Sequence, residues 1–228
     1  MSKIEYRTLN DRAYDEIKSS LIAGQFRPGQ ILVIRTLADL YGISTTPVRE
    51  ALQRLVGERQ LDMLHNRSIA VPDWDPAKFL ELFRIRCALE GLAAELATAR
   101  FSQADIEKLE HLLADIAVAL RQKQFGTYVG LNQRFHFTLY ERADSPRLLE
   151  IIQNLWGQVG SYMNELFGRP GFEEHANEEH VLIVRALKLR DPAGVREHVV
   201  ADITKAAEFL VPHINELAAV DRVTGSVS

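Results

Sequence analysis

The chain has 228 residues, 46% of them hydrophobic and 25% charged, an ordinary mixture for one large or two small folded domains that argues against disorder, collagen-like repeats and low complexity. Its formal charge of −4 is unevenly spread, with ten Lys and Arg against eight Asp and Glu up to Pro72 and 17 against 23 after it, so the acidic total does not exclude a nucleic-acid partner for the first part. The single cysteine, Cys87, excludes an internal disulfide and a Cys-rich metal site; with no apolar signal core at the start and no run of about 20 apolar residues, a cytoplasmic protein is expected rather than a secreted or membrane-spanning one.

Up to Pro72 the pattern reads helix, helix, helix and a short hairpin. In Leu37-Ala38-Asp39-Leu40-Tyr41-Gly42-Ile43-Ser44-Thr45-Thr46-Pro47 an apolar helix meets Gly42, turns, and restarts with Thr46 as N-cap and Pro47 in the first helical position. That is the layout of a helix-turn-helix. Val48, Ala51, Leu52, Leu55 and Val56 then recur at helical spacing as one buried stripe, which turns Arg49 and Gln53 outward. Thr45, Thr46 and Arg49 gather at the helix start, the end that enters the major groove in this motif, where Arg matches guanine O6 and N7 and Thr reaches bases or phosphate. Leu61, Met63, Ile69 and Val71 alternate around a polar tip of His65, Asn66, Arg67 and Ser68, a wing able to touch the DNA backbone or minor groove. The competing reading is a plain three-helix core with Arg49 and Arg67 as solvated surface charges.

Two prolines in Val71-Pro72-Asp73-Trp74-Asp75-Pro76 mark the domain break, giving a module at 1–72 and a second at 73–215. Residues 216–228, ending in a small polar run, are expected to form a disordered tail. Asp75-Pro76, Ser145-Pro146 and Asp191-Pro192 each place a capping side chain before a proline, and Ser102 precedes Asp105 at capping-box spacing. Helices are predicted near 75–100, 102–124, 126–143, 146–167, 173–190 and 192–211. The fold class is therefore mainly α: a winged helix-turn-helix followed by an antiparallel all-α bundle of about six helices.

Within that bundle Asn132 and His136 stand four apart on one helix face, His198 and Asp202 repeat the spacing on the last helix, and His180 adds a third helix. Imidazoles and a carboxylate converging there suit a divalent ion such as Zn²⁺, Ni²⁺ or Mn²⁺. The alternative is that His136 and His180 are satisfied polar residues beside the core, with Asn132 and Asp202 as interhelical hydrogen-bond partners. Arg86 has Glu90 four residues on, an ion pair worth about 0.3 to 0.5 kcal/mol if exposed. Arg134, His111, His175 and His213 read as surface residues.

Ile22-Ala23-Gly24-Gln25-Phe26-Arg27-Pro28-Gly29-Gln30-Ile31-Leu32 and the stretch from Leu37 to Leu55 resemble the GntR family of bacterial transcriptional regulators. Arg86-Cys87-Ala88-Leu89-Glu90-Gly91-Leu92-Ala93-Ala94 and Asn132-Gln133-Arg134-Phe135-His136 are similar to its FadR/VanR-like branch, with an all-helical effector-binding domain of the FCD type over most of 76–211. Position by position, the resemblance implies DNA contacts from Arg35, Thr45, Thr46, Arg49, His65, Asn66 and Arg67. This chain has Thr45 where the family usually has Arg, and Asn66 or Arg67-Ser68 where a wing Gly is common.

The resemblance also implies a metal held by an Asp or Asn, a His four residues later, and two further His about 22 residues apart. Here these positions are Asn132, His136, His180 and Asp202, with His198 one turn before the last. Three options follow: Asp202 ligates directly, His198 swings in, or no metal binds. An Arg at position 86 is implied to pair with an organic acid in the effector cavity. The expected function is a ligand-responsive repressor that binds a palindromic operator as a homodimer and senses a small carboxylate. The rival is a helical metalloenzyme with an accessory N-terminal module, but no Glu-x-x-His pair, Gly-rich phosphate loop, Gly-x-Ser-x-Gly elbow or His-Glu-x-x-His occurs.

Overall fold

A computed structural model describes residues 8–166, 169 and 171–224. It divides into two compact units, one of residues up to Asp73 with Trp156–Ser161, the other of Trp74–Leu155 with the chain from Tyr162 on. As the sequence pattern predicts, the architecture is mainly α with a winged helix-turn-helix ahead of an all-helical domain. Among the described residues no helix is long and apolar enough to cross a membrane.

The first unit runs α1 (Leu9–Ile22), α2 (Ile34–Tyr41), α3 (Thr45–Gly57), β1 (Asp62–Met63) and β2 (Ile69–Ala70). A reciprocal capping box between Thr8 and Asp11 starts α1. Ala13, Ile17 and Leu21 of α1 share one core with Val48, Leu52 and Leu55 of α3, the stripe read from the sequence. Gly42 ends α2 at φ 64°, a left-handed turn that a residue without Cβ adopts freely. The next helix begins earlier than predicted: Thr45 is already helical and Ser44 is the N-cap, so Pro47 is the third helical residue. Proline is accepted there because N–H groups of the first turn have no partner within the helix. β1 and β2 pair antiparallel, Met63 opposite Ile69, and Ile31 bridges Ala70 on the other edge.

The second unit holds α4 (Pro76–Thr98), α5 (Gln103–Arg121), α6 (Phe125–Tyr140), the first part of α7 (Pro146–Met163), α8 (Phe172–His175), α9 (Glu178–Lys188) and α10 (Pro192–Thr224). The caps predicted at Asp75, Ser102 and Asp191 are in place. Asp75 accepts from the Ala77 and Lys78 amides, Ser102 and Asp105 form a capping box, and Asp191 accepts from Gly194 N. α4 packs along α10, α9 against α10 and α5, and α5 against α6. A Cβ at Gly91 would stand 3.1 Å from Val200 Cγ2 and 3.2 Å from Arg196 Cγ, so the absence of a side chain lets α4 and α10 approach.

Several predicted boundaries shift. The 126–143 helix ends at Tyr140 and the 146–167 helix at Met163, each followed by a 3₁₀ turn, Glu141–Ala143 and Asn164–Leu166. The single helix expected at 173–190 is broken into α8 and α9, with Ala176 and Asn177 between. The last helix does not stop near 211: it continues through Pro212 to Thr224, so 216–224 is helical rather than a disordered tail, and 225–228 lie outside the described residues. Leu210 and Ile214, one turn apart and fully buried, hold the helix across the hydrogen bond that Pro212 cannot make.

Candidate nucleic-acid interface and buried polar centre

In the first unit Thr45, Thr46, Arg49 and Gln53 all lie exposed on α3, with Arg35 exposed on α2. Two other charges of α3 are engaged within the unit. Glu50 accepts from the Asn10 side chain, and Arg54 stacks 3.7 Å from the Tyr14 ring centroid while pairing with Glu58 at 3.1 Å. Arg49 is thus the outward cation nearest the start of the helix, where partial positive charge already favours an anion such as phosphate.

The wing tip presents His65, Asn66 and Arg67 to solvent. Leu64 N donates to Ser68 O at 2.8 Å, Arg67 N to Leu64 O at 2.9 Å, and Ser68 N to Asn66 Oδ1 at 3.0 Å. This closed turn requires φ 63° at Arg67, the left-handed region that favours glycine. The departure from a wing glycine therefore keeps the turn and adds a cation, at some conformational cost.

In the second unit His136 of α6, His180 of α9 and Asp202 of α10 form one cluster, each offering a ligand atom within 4.8 Å of the others. The two Nε2 atoms are 3.1 Å apart, and Asp202 lies 3.3 Å from His136 Nε2 and 3.5 Å from His180 Nε2. Both imidazoles are buried, whereas the Asp202 side chain keeps 23% of its surface. Burial pushes His180 down to about 4, so its ring is neutral near pH 7. Burial acts to raise the Asp202 carboxyl, but His180, His136 and Arg86 outweigh it and hold the group below the usual carboxylate range.

Of the alternatives for the last donor, the geometry places Asp202 in the cluster and turns His198 away, its Nδ1 held 2.8 Å from Glu179 Oε2. Asn132 lies one turn before His136 on α6 and is half-buried. Two imidazole nitrogens with a carboxylate oxygen fit a divalent ion of the Zn²⁺, Ni²⁺ or Mn²⁺ type, and three protein donors leave coordination positions for a ligand.

Around the cluster lie residues that the sequence reading did not select. His180 Nδ1 is 3.0 Å from Asn177 Oδ1, and Asn177 Nδ2 donates to Leu113 O at 3.4 Å. His136 Nδ1 is 3.1 Å from the Tyr140 hydroxyl, which donates to Glu90 Oε2 at 2.7 Å. Tyr140 stands four residues after His136 and Asn177 three before His180, so helical spacing alone was the available signal. Arg86 does pair with Glu90, at 2.6 Å, but in the interior rather than at the surface. The small value expected of an exposed pair does not apply, because removing one partner strands a buried charge. His111, His175 and Arg134 are exposed as expected. His213 is not: its side chain is 13% exposed and its Nε2 lies 2.9 Å from Glu165 Oε2, because the longer α10 carries it into packed structure.

A model of the FCD domain matches residues 81–205, and one for bacterial regulatory proteins of the gntR family matches residues 9–71. The chain is 32% identical over 204 residues to the HTH-type transcriptional regulator McbR of Escherichia coli (strain K12), covering 88% of this chain and 91% of that protein. It is 26% identical over 202 residues to the HTH-type transcriptional repressor GlaR of the same strain, covering 83% and 92%. Among solved structures, E. coli McbR/YncC superposes with a TM-score of 0.85 at 29% identity, over 91% of this chain and 99% of the other. These relatives are named regulators rather than enzymes, and the metalloenzyme reading is not favoured. With an N-terminal gntR helix-turn-helix and a C-terminal FCD domain, the chain belongs to the GntR family of DNA-binding bacterial transcriptional regulators.

Proposed function

We propose that this regulator is a cytoplasmic repressor that binds a palindromic operator as a homodimer and releases or rearranges on it when a small carboxylate enters the helical domain. The observation that carries the sensing half is the convergence of His136, His180 and Asp202 from three helices on one point. A ligand anchored there ties α6, α9 and α10 together and favours one packing of the bundle over another. A divalent ion at the cluster would supply the positive anchor for the ligand's carboxylate. Arg86 offers a second anchor if that carboxylate exchanges with Glu90. Reading of the operator falls to Thr45, Thr46 and Arg49 on α3, with Arg35 and the wing residues His65, Asn66 and Arg67 on backbone or minor groove.

Switching needs a ligand that binds the two packings unequally. A ten- to hundredfold change in DNA affinity corresponds to about 1.4 to 2.7 kcal/mol of coupling. The test is a gel-shift titration on the selected operator, at fixed salt, with a panel of small mono-, di- and tricarboxylates and with Zn²⁺, Ni²⁺ or Mn²⁺ supplied. At least one acid should move the midpoint tenfold or more. Binding that no member of the panel alters, with or without the ion, would overturn the carboxylate-sensing reading while leaving the DNA-binding assignment in place.

A further inference from the structure

The hydrogen bonds at the Nδ1 atoms of His136 and His180 can be assigned donor by donor from the groups they meet. Glu90 is ion-paired with Arg86 and offers only acceptor oxygens, so the Tyr140 phenol spends its single hydrogen on Glu90 Oε2. The Tyr140 oxygen then has only lone pairs left for His136, and His136 Nδ1, 3.1 Å away, carries the ring hydrogen. The lone pair of that imidazole is thereby placed on Nε2, the atom facing His180 and Asp202.

Asn177 does the same for the other ring. Its Nδ2 donates to the Leu113 carbonyl, which orients Oδ1 toward His180, and an amide oxygen accepts only. His180 Nε2 therefore also carries a lone pair. On this assignment both Nε2 lone pairs and the Asp202 carboxylate face one another, an arrangement that a divalent ion in the centre stabilises.

We infer that Tyr140 and Glu90 are positioning residues of this centre, holding His136 in the one tautomer whose Nε2 takes a divalent ion, with Arg86 keeping Glu90 in place. The inference rests on reading His136, His180 and Asp202 as an ion site. A neutral histidine side chain in water favours the opposite tautomer, with hydrogen on Nε2, so the orientation of His136 has to be imposed by its neighbours. The competing arrangement puts a hydrogen on one Nε2 and makes the 3.1 Å contact between the rings an ordinary hydrogen bond. In that case Tyr140 is a structural residue only.

The experiment uses the full chain stripped of metal by a chelator, with ring ¹⁵N shifts read by NMR for wild type and Tyr140→Phe. Zn²⁺ affinity is measured in parallel by competition with a chromogenic chelator. The expected result is hydrogen on Nδ1 of both rings in the wild type. In Tyr140→Phe, His136 shifts to the Nε2–H form while His180 is unchanged, and Zn²⁺ binds about 10- to 100-fold more weakly. Wild-type protein with hydrogen on Nε2 of His136 overturns the proposal, and this readout stands even if the variant fails to fold. A folded Tyr140→Phe that binds Zn²⁺ as tightly as wild type overturns the positioning role alone. A wild type that binds no Zn²⁺ while both rings carry Nδ1–H overturns the ion site itself, and the proposal with it.

Discussion

His136 and His180 stand 44 positions apart in sequence on different helices, yet their Nε2 atoms lie 3.1 Å apart in the interior of the helical domain. The Phe135 ring, 4.5 Å from that of His180 between centroids, closes one side against water. In so buried a place two imidazole nitrogens and a carboxylate interact strongly with any cation that enters.

Replacing both rings, His136→Ala with His180→Ala, should abolish Zn²⁺, Ni²⁺ or Mn²⁺ content and the response of operator binding to a carboxylate, while DNA binding itself persists. Elemental analysis and gel shifts on a folded double variant decide it. A wild-type effector response in that protein would return Asn132, His136, His180 and Asp202 to the role of interhelical hydrogen-bonding residues.

Arg49→Ala should leave the fold intact, because the side chain stands outside the Val48, Leu52 and Leu55 core. Specific operator binding should weaken by about 1 to 3 kcal/mol, the worth of a good bidentate base contact. Matched-salt titrations against specific and random DNA measure it, since affinity alone mixes base reading with phosphate attraction. An unchanged ratio between the two DNAs would remove Arg49 from the reading face.

The Asp105 carboxyl closes the α5 capping box and accepts from Arg142. Desolvation acts to raise it, but the Ser102 hydrogen bonds and Arg142 outweigh that and hold it below the ordinary 3.8. A depressed folded value means the stabilisation is complete above the ordinary value and is lost as pH falls through the folded one. Asp105→Asn should therefore destabilise by about 0.5 to 2 kcal/mol at pH 7, and its gap to wild type should narrow toward pH 3. Urea unfolding at both pH values tests this; a gap that widens in acid contradicts the sign.

Two half-sites of a palindrome place recognition helices about 34 to 36 Å apart on one DNA face, which a two-fold dimer meets directly. Sedimentation at micromolar concentration should give a dimer both free and on operator DNA. A monomer under both conditions rules out the dimeric reading.

Features fixed within a turn or so of chain were legible from the residues alone. The caps at Asp75, Ser102 and Asp191, the turn at Gly42, the buried stripe of α3 and the helical character of the second domain all depend on neighbours at most a few positions away. The approach of His136, His180 and Asp202 was legible only in part. Helical spacing put His136 with Asn132 and Asp202 with His198, but two donors one turn apart on α10 are equivalent in sequence. Packing of α9 against α10 broke the tie, because Glu179 takes His198 and leaves Asp202 to the cluster. The Glu90 to Tyr140 bond spans 50 positions and has no local signature, so burial of the Arg86 and Glu90 pair was decided by the tertiary structure alone. The far end of α10 follows the same logic: Pro212 reads as a helix stop from local chemistry, and burial of Leu210 and Ile214 on either side of it overrides that signal.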